Sequence, residues 1–418
     1  MYRKDTLSNG VRVVSETLPK SRSVSIGVWV KVGSRHEPKE LGGISHFIEH
    51  LFFKGTERRS AKDIAIEMDS LGGEMNAFTS QETTTYYVKV LDEHLPRAVD
   101  LLADILISSQ FNPSEMEKER KVILEEIKGV EDTPDDYIHE LFTSTVWPDH
   151  PLGRPILGTR ETIRSLTHKD IITYIEHYYN PKEIVISVAG NFEHDLMVEL
   201  LETSFGKYSK AGRPKQEDAP RFVRAVNVKK KQLEQVQLCL GCKALPFAHE
   251  DRFVISALNG VLGSSMSSRL FQEIREQNAL AYAIYSYVSA YKDTGLFTVY
   301  AGTDPSNVKE VVRLILREFK RVRDEGVSPQ EEERVKNQIK GHLVLSLESS
   351  NSHMSRLARQ EIYYGKYFSV DDIIKNVERV TAIDIQRLAG QLFTPENISL
   401  TILGPVNKSD IPDSVIEM

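Results

Sequence analysis

Two cysteines in 418 residues exclude a disulfide framework. They stand as Cys239-Leu-Gly-Cys242, a pair that begins within an alternating stretch, Gln235-Val-Gln-Leu-Cys-Leu240, that reads as a strand. Residues three apart on a strand point to opposite faces, so the pair reads as inert core thiols rather than a redox or metal pair. No apolar run approaches the roughly 20 residues that a membrane helix needs. The opening Met1-Tyr-Arg-Lys-Asp-Thr-Leu-Ser-Asn-Gly10 has neither an apolar segment nor a small-residue cleavage site, so a cytoplasmic location is expected. Nor is there an excess of positive charge: 53 basic residues face 60 acidic ones, a formal net charge of -7. That balance removes the electrostatic footprint of a general nucleic-acid binder and favours cationic substrates near the surface.

What is present is an ordinary globular composition, 40% hydrophobic and 27% charged, in a chain long enough for two cores. The chain repeats itself. Thr167, Asp170, Pro181 and Gly190 recur as Thr381, Asp384, Pro395 and Gly404, each at an offset of 214. In both copies a Thr three residues ahead of an acid caps a helix, a proline stops it, and an apolar strand runs into the glycine. Between the copies lies a polar stretch rich in glycine and proline, read as a linker at 206–221. Two homologous domains are therefore expected, 1–205 and 222–418. Strands are expected at 23–32 and 83–90, and helices at 45–53, 61–71, 95–108, 113–130 and 167–179. Runs of strands followed by runs of helices predict an α+β fold, each domain a mostly antiparallel sheet covered by helices.

His46-Phe-Ile-Glu49-His50 is the sharpest local signal. On a helix, at about 100° per residue, the two histidines project within roughly 40° of each other and can clamp one ion. Glu49 falls on the same face, on the flank opposite to that of the commoner H-E-x-x-H order. Catalytic zinc takes three protein ligands and leaves one position open. On the helix expected at 113–130, Met116, Ile123, Ile127 and Val130 form the apolar stripe. Glu119 and Glu126 border it, with Val122 on their far side, and Glu125 points away. Carboxylates on a core-facing stripe need a partner, which a cation or a basic side chain supplies. Periodicity selects Glu126 or Glu119 over Glu125.

These motifs resemble the pitrilysin (insulinase) family of inverted zinc peptidases, in particular the short bacterial relatives of mitochondrial processing peptidase. The matching segments run from Gly42 through His46, Glu49 and His50 to Thr56, and over 72–79, 119–126, 150–155 and 267–275. In that family the third zinc ligand lies 76 positions beyond the second histidine, the spacing of Glu126 from His50. The resemblance thus implies one zinc held by His46, His50 and Glu126, with Glu49 as the base and Glu119 as an accessory acid. It also implies that the strand carrying Asn76, Ala77 and Phe78 pairs with an extended peptide substrate. Arg275 and Tyr282 are implied to bind substrate and stabilise the transition state. The implied activity is that of a zinc metalloendopeptidase acting on peptides or short unfolded segments. Larger members join two such units as a clamshell, so a chain of this length implies a homodimer. A non-catalytic or partner-dependent structural subunit of a processing-peptidase-like assembly is the alternative. Neither a nucleic-acid nor a membrane partner is expected.

Overall fold

Two mixed sheets organise the chain, in a computed structural model that describes residues 1–212 and 218–417. The first holds β1 (Tyr2–Thr6), β2 (Arg12–Thr17), β3 (Ser23–Val30), β4 (Glu74–Thr79), β5 (Thr84–Leu91) and β6 (Ile184–Gly190). Their spatial order is β1-β2-β6-β3-β5-β4, and only β2 and β6 run parallel. The second holds β7 (Val226–Lys230), β8 (Val236–Ala244), β9 (Ala281–Ala290), β10 (Gly295–Thr303) and β11 (Ile398–Gly404). It is ordered β7-β11-β8-β10-β9, with β7 and β11 parallel. The expected α+β architecture with two homologous domains is the one present, each sheet being mostly antiparallel.

The repeat is visible in local chemistry. Thr167 and Thr381 each accept the backbone N–H three residues on, closing capping boxes with Asp170 and Asp384. The helices they start, His168–Tyr178 and Ala382–Leu392, both have 11 residues. Each is followed by a short 3-10 turn opened by proline and then by a fully buried strand, β6 or β11. Boundaries elsewhere differ from the sequence expectation by a residue or two: β3 stops at Val30, and the helix expected at 113–130 runs from Pro113 to Asp132.

The division of the chain at 206–221 needs correction. One compact unit consists of 1–129, 154–218 and 346–367; the other of 130–153, 219–345 and 368–418. Each unit thus takes one helix from the other half of the sequence. The reason is burial: the central strands are buried along almost their whole length, and a sheet apolar on both faces must be covered on both. In the first unit the helix Ser350–Tyr364 lays Met354, Leu357 and Ala358 against Val14, Trp29, Val185 and Ala189. In the second, the helix Pro134–Val146 lays Ile138, Phe142 and Val146 against Cys239, Tyr300 and Leu403. A glycine admits each. A Cβ at Gly27 on β3 would sit 2.8 Å from Met354 Sδ, and one at Gly241 on β8 would sit 3.0 Å from Phe142 Cζ. These two glycines are related by the same 214-residue offset. Ion pairs fasten the first helix: Glu361 to Lys4 (2.8 Å) and Arg12 (2.7 Å), and Glu16 to Arg356 (2.7 Å).

The expected linker is partly structural. Tyr208 is buried and donates to the Tyr179 carbonyl (2.8 Å), and the Asn180 amide donates to the Gly212 carbonyl (2.6 Å). Residues 213–217 of it lie outside the described residues. Cys239 and Cys242 are buried in separate apolar clusters, and burial pushes both thiols up. Among the described residues no helix is long and apolar enough to cross a membrane.

The acidic run at 131–136 ends one helix and begins the next, and it places charge beside Glu140. Burial, with Glu131 and Asp136 close by, pushes the Glu140 carboxyl up to about 7. The folded chain therefore binds this proton more tightly than the unfolded one. The contribution of Glu140 to stability falls as pH rises from about 4.5 to about 7, by at most about 3 kcal/mol. Urea denaturation of Glu140→Gln is expected to match wild type at pH 4 and to give the more stable protein at pH 8. Equal stability of the two proteins at pH 8 contradicts this.

Candidate metal centre

The helix Ile44–Phe52 buries Ile44, Phe47, Ile48, Leu51 and Phe52 in the core of the first unit. That leaves His46, Glu49 and His50 on its remaining face, as the 3.6-residue period dictates. Its N-terminus is fixed from outside. Gly43, at φ +91°, precedes the helix, and a Cβ there would come within 2.6 Å of the Leu157 carbonyl oxygen. Glu37 takes over the capping: its carboxylate accepts the backbone N–H of Gly43 (2.7 Å) and of Ser45 (2.8 Å).

The helix Pro113–Asp132 supplies the facing acids. Met116, Ile123 and Ile127 are buried, as the wheel requires, and so is Glu119. Val122, on the far side of the two acids, is exposed. Glu125 is 78% exposed. Glu126 lies between: its side chain is 40% exposed, yet Oε2 is buried and without a hydrogen-bond partner. That oxygen lies 3.8 Å from His46 Nε2 and 3.7 Å from His50 Nε2. One donor atom from each of the three residues falls within 4.8 Å of the other two. Two imidazole nitrogens and a carboxylate oxygen converging in this way suit a borderline divalent cation such as zinc. Burial, reinforced by neighbouring His50, holds the His46 imidazole down at about 3, in the neutral form a metal ligand needs.

Glu119 and Glu49 have separate surroundings. Glu119 Oε2 lies 3.0 Å from His50 Nδ1 and Oε1 lies 2.8 Å from Lys54 Nζ, so Glu119 meets a histidine through the ring nitrogen turned away from Glu126. Glu49 is buried beside the three-residue group and accepts a 2.5 Å hydrogen bond from the Thr79 hydroxyl. Burial raises its carboxyl above the usual range; the Thr79 bond and His50 oppose that rise, and Glu126 adds to it. Thr79 and Lys54 are the residues that motif reading passed over. Strand parity puts Thr79 on the face of Ala77, and Lys54 stands four residues beyond His50. Neither pattern names a partner.

Asn76, Ala77 and Phe78 lie on β4, the last strand of its sheet. Ser80 N–H bonds the Thr83 carbonyl (2.8 Å), and antiparallel alternation from that pair turns the backbone groups of Ala77 toward the open edge. There the Ala77 N–H meets the Asn76 side-chain oxygen (2.8 Å). Phe78 is partly exposed and stands edge-on to Trp29, ring centroids 5.6 Å apart. Arg275 and Tyr282 belong to the second unit. Arg275 lies on a π-helical turn, Phe271–Gln277, and its guanidinium sits 5.0 Å over the ring of Tyr282, which is 78% exposed. Between them Ala279 adopts a left-handed backbone, φ +52°, a conformation that is costly without glycine.

Two family models match the chain: insulinase (peptidase family M16) over residues 12–160, and the peptidase M16 inactive domain over residues 165–339. A Bacillus subtilis protein named an uncharacterized zinc protease is 45% identical over 405 residues, 97% of this chain and 98% of that one. A Streptomyces coelicolor protein of the same description is 41% identical, over 97% of this chain and 90% of its own. The crystal structure of a protease from Helicobacter pylori matches with a TM-score of 0.89 at 27% identity, over 97% of this chain and 99% of that one.

Zinc stoichiometry tests the donor set. His46→Ala and Glu126→Ala are expected to lose most bound zinc, and Glu125→Ala to keep it. A Glu125→Ala chain that loses zinc while Glu126→Ala retains it reverses the helix face assigned here.

Proposed function

Because this chain belongs to the insulinase family, peptidase family M16, we propose that it is a zinc endopeptidase acting on extended peptides or short unfolded segments in the cytoplasm. The observation that carries this reading is the buried, unpartnered Glu126 oxygen facing two imidazole nitrogens beside a buried Glu49. One zinc per chain, which His46, His50 and Glu126 would hold, would supply Lewis acidity to lower the pKa of water and polarise the scissile carbonyl.

The chain's own residues do the rest. An extended substrate adds a strand to the open edge of β4, where Ala77 offers its backbone N–H and carbonyl and Asn76 its carboxamide. Its alternate side chains then fall on the Phe78 face of the sheet. Glu49 removes a proton from the attacking water and delivers it to the leaving amine. Thr79 holds one oxygen of Glu49, leaving the other for that proton. Burial raises the proton affinity of Glu49, which suits a group that must accept and then release one. Arg275 and Tyr282 donate to the carbonyl oxygen as negative charge develops.

Glu49→Gln is expected to keep zinc and lose at least about 100-fold in turnover of a quenched peptide library. Thr79→Val is expected to lower kcat about 10-fold at unchanged zinc content, with Thr79→Ser recovering most of it. A wild-type chain that binds zinc and cleaves nothing in the library supports the rival reading, a structural or partner-dependent subunit.

We further propose a twofold homodimer in which Arg275 and Tyr282 of one copy serve the zinc of the other. All the proposed metal ligands lie in the first unit and the Arg-Tyr pair in the second, which motivates the division. Glu49→Gln and Tyr282→Phe chains are each expected to be poorly active alone. After subunit exchange, random pairing is expected to restore about a quarter of wild-type activity, since about half the dimers then carry one intact site. No recovery, with exchange confirmed by mass spectrometry, shows that Tyr282 serves its own chain.

A further inference from the structure

We propose that Lys54 is a positioning residue for His50, acting through Glu119; this rests on the reading of His46, His50 and Glu126 as zinc ligands. Glu119 is 6% exposed and divides its two oxygens between two partners on one segment. Oε2 meets His50 Nδ1 at 3.0 Å, and Oε1 meets Lys54 Nζ at 2.8 Å. His50 lies in the last turn of its helix. Lys54 follows just past the helix end, where its backbone N–H bonds the Leu51 carbonyl (3.1 Å). One carboxylate from the helix Pro113–Asp132 therefore clamps the end of the helix Ile44–Phe52 at two points.

The terminal torsion of a glutamate is broad and roughly twofold, so a carboxylate held through one oxygen alone keeps considerable freedom. A partner on each oxygen fixes its plane. With Oε1 tied to Lys54, Oε2 is held where it accepts the proton of His50 Nδ1, which orients the ring and leaves Nε2 as the atom turned toward Glu126. A histidine that ligates a metal is commonly fixed in this way by an acceptor on its other nitrogen, and loss of such an acceptor weakens metal binding. Lys54 also offsets a charge that burial makes costly. Glu119 is buried beside the His50 imidazole, and Lys54 brings the ammonium that balances its charge. Its side chain is 31% exposed, so the ammonium remains partly hydrated while it does so.

The test is zinc affinity of the full chain, measured by competition with a chromogenic chelator, alongside the thermal midpoint of the metal-free protein. Lys54→Met is expected to weaken zinc binding about 10-fold, and Lys54→Arg to recover most of the loss. In a Glu119→Gln background, Lys54→Met is expected to cost nothing further, because the carboxylate it holds is gone. A role in folding alone moves the metal-free midpoint and leaves zinc affinity unchanged. Lys54→Gln serves where the methionine variant does not fold. Wild-type affinity in Lys54→Met, or an equal loss with and without Glu119, overturns the role of Lys54 while the zinc site stands. A wild-type chain that takes up no zinc overturns the zinc site itself.

Discussion

Central strands that are apolar on both faces have to be covered on both, and much of this chain's arrangement follows from that requirement. β3 and β6 in one sheet, and β8 and β11 in the other, are buried along almost their whole length. One face of each sheet is covered by helices close to it in sequence. The other takes a single helix from the opposite half of the chain, admitted by a glycine on the central strand. Each half thus supplies part of the other's core, and a fragment ending at the linker would leave Val14, Trp29, Val185 and Ala189 uncovered. At about 25 cal/mol per Å² of apolar surface, exposing such a cluster costs several kcal/mol, comparable with the whole net stability of a domain.

The candidate metal centre depends on the same rigidity. Its two histidines are spaced by one helix, whose inner face is fixed in the core and whose N-terminus is tied down by Glu37. The facing acid comes from a second helix fixed by Met116, Ile123 and Ile127. Between these two surfaces the acids are differentiated by what each oxygen can reach. Glu126 keeps one oxygen without a donor, Glu119 is occupied by His50 and Lys54, and Glu49 receives the Thr79 hydroxyl. Glu126 adds to the cost of charging buried Glu49, which the Thr79 hydroxyl offsets, and the Lys54 ammonium offsets the buried charge of Glu119.

Helical spacing alone brought His46, Glu49 and His50 to one face, and periodicity alone set Glu125 toward solvent, because both depend only on the 3.6-residue turn. The repeat was legible for a similar reason: capping boxes, proline stops and a constant offset are local chemistry written twice. Thr79 and Lys54 had the right parity and spacing, but their partners lie 30 and 65 residues away along the chain.

The amino-acid sequence by itself determined the element types, the twofold repeat, the family and the face of each helix that carries chemistry. These follow from short-range sterics, capping and apolar periodicity, each of which acts within a few residues. Only the tertiary structure decided which helix covers the second face of each sheet and which oxygen of each glutamate meets which donor. An apolar strand face specifies that it must be covered, not which helix covers it. A buried carboxylate likewise specifies that it needs a partner, not where along the chain that partner lies.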